Sequence, residues 1–237
     1  MLENPNSEKP PRTIGTLGET SLHAALKQWY AQPGDQTEQK IDGYYIDLVR
    51  GDLLVEFQTR QFSAIRAKLA NLLDHHPVRL VYPLPREKWV VRQSADGAVL
   101  SRRRSPIRGS VFDVFRELIR IPHLLGHPNF SLEVLLVQVE DILQNDQKGS
   151  WRRKGWSIVD RRLLGVIDQA HFSSQADFIA LLPGDLAESF TNADLAKTQH
   201  CRRDLAQKAT YTLLRAGLLT RAGKKGNFVL YQRRSPH

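Results

Sequence analysis

Asp47, Glu56 and Gln58 are the residues of this 237-residue chain whose types and spacing point most directly to chemistry. They lie between Tyr44 and Thr59, where two β-rich runs flank Gly51-Asp52, a Gly-X pair suited to a two-residue type II′ turn. If Arg50 pairs with Leu53, Asp47 falls opposite Glu56. Facing residues on an antiparallel pair sit ~5 Å apart, and like charges placed there repel. A sequence serving only a stable hairpin would not set Asp against Glu. Gln58 lies two residues beyond Glu56, so strand alternation puts it on the same face. Two carboxylates and an amide oxygen form a hard-oxygen cluster suited to Mg²⁺ or Mn²⁺. A divalent cation there would neutralise both acids and polarise a phosphodiester.

The elements around this hairpin must position it. Glu19-Thr20-Ser21 opens a helix whose apolar residues Leu22, Leu26 and Trp29 follow helical spacing. Glu19, His23 and Lys27 recur every four residues on a neighbouring face, which reads as a solvated stripe or, for Glu19, as part of the metal site. Pro33-Gly34 ends this helix. After the hairpin, Ser63 is expected to cap a second helix, with Ile65, Leu69, Leu72 and Leu73 as its buried stripe and Arg66 and Lys68 beside it. Short strands follow at 78–82, 88–92 and 98–100, separated by Pro and Asp-Gly. Residues 111–125 read as an amphipathic helix and 132–139 as an apolar strand.

Asp47, the triplet Glu56-Phe57-Gln58 and the order helix, hairpin, helix, strand resemble the PD-(D/E)xK nuclease superfamily, with Gln58 where that family usually carries lysine. The resemblance covers roughly residues 13–92. It implies an α/β fold, a mixed nuclease-like sheet flanked by helices. It also implies Asp47 and Glu56 as metal ligands, Glu19 as an additional carboxylate and Gln58 as a group that helps place the attacking water. Lys68 and Arg66 are candidates to supply the missing cation. The activity implied is Mg²⁺-dependent DNA cleavage; a catalytically silent nuclease fold acting in DNA binding or regulation is the alternative. Many such nucleases dimerise, so a homodimer is open.

Charge supplies the second line of argument. Residues 190–237 hold ten Lys or Arg against two Asp, while the rest of the chain is nearly balanced. Concentrated positive charge favours a polyanionic partner through counterion release. Within this segment Thr191 caps a short helix, 202–216 forms a longer one with Leu205, Ala209, Leu213 and Leu214 inward, and strands at 219–221 and 228–231 flank a basic tip. This order resembles a winged helix-turn-helix domain, which implies DNA contact through Arg202, Arg203 and Lys208 on the helix and Lys224 and Lys225 at the tip.

The expected organisation is therefore a flexible arm at 1–12, a nuclease-like domain at 13–145, a linker at 146–157 and a winged-helix domain at 158–237. No apolar run reaches 18 residues, a single cysteine (Cys201) excludes an internal disulfide framework, and no secretory pattern opens the chain. A cytoplasmic protein without membrane contact is expected. His123 and His127 have metal-pair spacing, but Gly126 and Pro128 break that helix and argue against zinc. Trp151 to Trp156 mixes cations with aromatics; it would track a nucleic-acid backbone or serve as local packing. The Arg102-Arg103-Arg104 run is a phosphate contact or a solvated loop.

Overall fold

The computed structural model describes residues 21–148 and 154–234; the expected N-terminal arm and Glu19 lie outside the described residues. The first helix, α1 (Ser21–Tyr30), buries Leu22, Leu26 and Tyr30. Trp29, expected inside, is 48% exposed. Tyr30 takes the inward place, and its hydroxyl donates to the buried Glu133 carboxylate at 2.5 Å.

A mixed sheet of seven strands forms the body, in the order β1-β2-β3-β4-β6-β7, with β5 added to β4. Its strands are β1 (Gln36–Ile41), β2 (Tyr44–Arg50), β3 (Leu53–Phe57), β4 (Val78–Gln93), β5 (Val99–Arg104), β6 (Phe130–Asn145) and β7 (Trp156–Phe172). β3, β4 and β6 run parallel, and the other pairs are antiparallel. β1 is invisible to sequence periodicity because it is polar at every position but Ile41; it becomes a strand only by pairing with β2.

β4 continues through Pro83 and Pro85, where a break was expected. One flank pairs with β6 along its length, while the other pairs with β3 only as far as Val81 and with β5 only from Trp89. Both prolines fall in this gap, an edge-like stretch that tolerates a missing donor.

Helices cover both faces. α2 (Phe62–Leu73) buries Phe62, Ile65, Leu69, Leu72 and Leu73 in one core; α1 packs on the opposite face with Leu48, Val55, Phe57, Leu135 and Val139. Ser63 does not cap α2. Its first turn is held from outside, by Glu117 Oε2 accepting the Phe62 N–H at 3.0 Å, a carboxylate at the positive end of the helix dipole. Glu117 belongs to the short α3 (Phe115–Leu118). The single helix expected over 111–125 is instead three short turns, because Pro122 starts a new 3₁₀ turn after Ile121.

Two expected boundaries shift. Residues 158–172, assigned to the terminal domain, belong to β7 and pair with β6 in the large sheet. Of the expected linker at 146–157, Trp156 and Ser157 already belong to β7, while residues 149–153, with Trp151, lie outside the described residues. The terminal unit then consists of α4 (Gln175–Ile179), β8 (Ser189–Phe190), α5 (Asn192–Thr198), α6 (Arg203–Arg215), β9 (Leu219–Lys225) and β10 (Phe228–Arg233). Its three strands form a separate antiparallel sheet, β8-β10-β9. Thr191 caps α5 as read, accepting from the Ala193 and Asp194 N–H groups. Leu205, Ala206, Ala209 and Leu213 of α6 join the same core as Phe115 and Leu118, so the unit is packed onto the body.

Candidate active site

β2 and β3 pair in the register read from the turn, with Leu48 opposite Val55 and Arg50 opposite Leu53, and Gly51 adopts φ 57°. The ladder stops one step before Asp47 and Glu56. Ile46 enters the core beneath α2 and Leu48 the core beneath α1, although residues two apart normally share a face. Asp47 therefore sits at a break in the pleat. Across this break the acids themselves take up the backbone: Asp47 Oδ2 accepts the Phe57 N–H at 2.9 Å, and Glu56 Oε1 accepts the Asp47 N–H at 3.4 Å.

The two acids remain neighbours, but each carboxylate takes its cationic partners from a different helix. Asp47 meets α1, where His23 Nε2 lies 3.3 Å from Oδ2 and Lys27 Nζ lies 3.8 Å from Oδ1. Glu56 meets α2, where Lys68 Nζ donates to Oε1 at 2.6 Å and to the Tyr45 carbonyl at 2.5 Å. Lys68 thus reaches the acid pair. Arg66, two residues earlier and so on a different side of α2, is exposed.

Electrostatics separate the two acids. Burial pushes the Glu56 carboxyl up to about 7, against the pull of the Lys68 ammonium and with a further push from Asp47. Burial also acts to raise Asp47, but hydrogen bonds from His23 and the Phe57 N–H, with the charges of His23 and Lys27, hold it below the usual carboxylate range. Near neutral pH the site holds one firmly ionised acid and one poised between its two forms.

Gln58 departs from its expected role. Its amide donates to the carbonyls of Arg60 and, at 3.2 Å, Gln61, so its donors shape the turn into α2. His23 and Lys27, read as a solvated face, are instead part of the site. The four-residue recurrence of Glu19, His23 and Lys27 was their only signal in the sequence. Among the described residues no group of three or more His, Cys, Asp or Glu is arranged to hold a metal. His127 Nδ1 accepts the Asn129 N–H at 3.2 Å.

In the terminal unit Arg202 stands just before α6 with its side chain 86% exposed, 3.3 Å from Asp204. The Arg203 guanidinium lies over the Phe228 ring, 5.0 Å from its centroid, tying α6 to the hairpin. Lys208 is half-buried. Lys224 and Lys225 are exposed but lie on β9, opposite Val229 and Phe228; the tip is only Gly226-Asn227. Arg116 of α3 reaches Asp204 at 3.5 Å and bridges body and terminal unit.

A family model described as a domain of unknown function, DUF8091, matches residues 20–173. The chain belongs to the DUF8091 family. The match takes in α1, the acid pair and every strand of the large sheet, and it stops one residue beyond β7. The terminal unit therefore lies outside the family domain. An uncharacterized protein of Treponema pallidum (strain Nichols) is 36% identical over 228 residues, covering 94% of this chain and 89% of the relative, so the similarity extends beyond the family domain into the terminal unit. No solved structure matches the chain. No helix among the described residues is long and apolar enough to cross a membrane.

Proposed function

We propose that this protein is a DNA endonuclease dependent on Mg²⁺ or Mn²⁺, with its terminal unit acting as a winged helix that docks the duplex. The observation that carries the reading is the Lys68–Glu56 contact. The PD-(D/E)xK resemblance lacks its lysine at Gln58, and an ammonium from α2 stands 2.6 Å from the Glu56 carboxylate instead.

The donor set suits a hard cation. Asp47 Oδ2 and the Phe57 carbonyl converge on one point, the His23 Nε2, at 3.3 and 3.0 Å. Asp47 and Glu56, with the Phe57 carbonyl, would hold the metal, which supplies charge neutralisation at the phosphodiester and acidifies a water. Lys68 would fix the Glu56 carboxylate and present positive charge beside the scissile phosphate. His23, half-buried beside Asp47, would give up its bond to Phe57 O and orient the ligand carboxylate. The order α4, β8, α5, α6 and a β9–β10 hairpin, with exposed Arg202, Lys224 and Lys225, supports a winged-helix reading of the terminal unit.

A second reading has its own support. Each acid already has cationic partners, His23 and Lys27 on Asp47 and Lys68 on Glu56. A silent nuclease fold that binds DNA without cutting would keep such internal ion pairs. Plasmid nicking in Mg²⁺ and in Mn²⁺ separates the two. Under the nuclease reading Asp47→Ala and Glu56→Ala each reduce cutting by about 100-fold or more while duplex binding is retained. Cutting that survives both substitutions would sink the site assignment, and a wild type that never cuts would favour the silent fold.

A further inference from the structure

The long strands β4, β6 and β7 project beyond the acid pair, and with β5 they build a second recess. Lys88, Val90, Arg92, Arg103, Asp141, Leu143, Trp156 and Ile158 line it. Lys88 pairs in register with Val139, which belongs to the core beneath α1. The recess therefore opens on the α1 side of the sheet, the side to which Asp47 turns.

Charge in the recess is not self-cancelling. Asp141 is almost fully buried, and Lys88 at 3.1 Å and Arg161 at 2.5 Å already neutralise it. Arg92 and Arg103 have no carboxylate partner among the described residues. Strand alternation explains Arg103: Arg102 pairs with Glu140 and Arg104 with Glu87, both against Trp89, so the middle arginine of the run points the other way. Arg92 is held differently, its guanidinium over the Trp156 ring at 4.9 Å. A guanidinium parked on an aromatic face keeps its in-plane N–H fork free for a phosphate. Val90, Leu143 and Ile158 add apolar floor beside the indole.

From this we infer that the recess is a binding site for a single-stranded nucleic-acid segment, in which Arg92 and Arg103 hold a phosphodiester and Trp156 takes the adjoining base. Two unpaired cations beside an aromatic ring are the combination that lets a protein follow an unpaired strand without reading its sequence. Duplex bases are stacked away from such a ring, so the site favours unpaired nucleotides. The site stands independently of metal binding by Asp47 and Glu56.

Fluorescence anisotropy of a labelled 20-nucleotide single strand, measured on the full chain in EDTA, tests this apart from any cleavage. Arg92→Ala and Arg103→Ala together are expected to weaken binding and to flatten the dependence on log salt by about 0.7, the share of one phosphate in a single strand. Trp156→Ala is expected to weaken binding roughly tenfold with the salt slope unchanged, and Trp156→Phe to restore most of it. Lys224→Ala with Lys225→Ala, on the remote hairpin, should leave the Trp156 effect intact. Wild-type affinity in the arginine pair and in Trp156→Ala would overturn the proposal. So would equal losses for single strand and duplex, or arginine-dependent binding to phosphatidylserine vesicles without strand binding.

Discussion

Lys68 and Glu56 meet across the interface between α2 and β3, 2.6 Å apart, with the ammonium also bonded to the Tyr45 carbonyl of the neighbouring strand. One lysine therefore ties a helix to two strands at the point where the pleat breaks. Removing it would leave a carboxyl buried without its cation, and burial alone already favours the protonated form.

Lys68→Met should accordingly be destabilising chiefly above pH 7. Below about pH 6 Glu56 is largely protonated in the wild type, so the pair contributes little and the two proteins should melt together. Thermal melts at pH 5.5 and pH 8.5 check this; a loss of the same size at both would contradict it. The same substitution should lower cleavage more than it lowers metal affinity.

The raised Glu56 carboxyl has its own signature in stability. Between the ordinary value of 4.5 and about 7 the folded state binds more protons than the unfolded one, so stability falls as pH rises through this window. Asp47 works the other way: its lowered value stabilises the fold above the ordinary carboxylate range and is lost in acid. Glu56→Gln should flatten the neutral part of the profile and leave the acid limb in place. Chemical denaturation across pH 3 to 8 would show both.

Divalent metal uptake should follow the same proton. Ligand carboxylates bind as anions, so affinity for Mn²⁺ should rise about tenfold from pH 6 to pH 8 as Glu56 ionises, with proton release. Titration calorimetry in buffers of differing ionisation heat measures both. Uptake that ignores pH, or that persists in Glu56→Ala, would remove Glu56 from the ligand set.

The shared core makes a mechanical prediction. Leu213 of α6 is fully buried in the cluster that also holds Phe115 and Leu118. Leu213→Ala should cost about 2 to 5 kcal/mol and lower a single calorimetric transition for the whole chain. Two separated transitions would mean that the terminal unit unfolds alone.

For the hairpin, replacing Lys224 and Lys225 with Ala should weaken duplex binding and reduce the salt slope by about 1.8, the share of two duplex phosphates. Unchanged duplex affinity would assign this surface to something other than DNA.

Much of the local structure was legible because it rests on short-range chemistry. The hairpin register follows from Gly51, which alone accepts the turn's positive φ; α5 follows from the Thr191 cap and α6 from its apolar spacing. Elements that depend on partners were not legible. β1 has no apolar period and exists through β2, β4 passes its prolines because neighbouring strands leave a gap there, and the start of α2 is held by Glu117, 55 residues away.

The site divides in the same way. By itself the sequence determined that two acids meet at one level of a hairpin, since register follows from the turn. Only the tertiary structure decided that Asp47 turns toward α1 and Glu56 toward α2, because the break in alternation lies in the packing of Ile46 and Leu48 into different cores. It also decided that Lys68, and not Gln58, stands beside Glu56, because a side chain's reach depends on how a helix packs on a strand, which spacing along the chain does not contain.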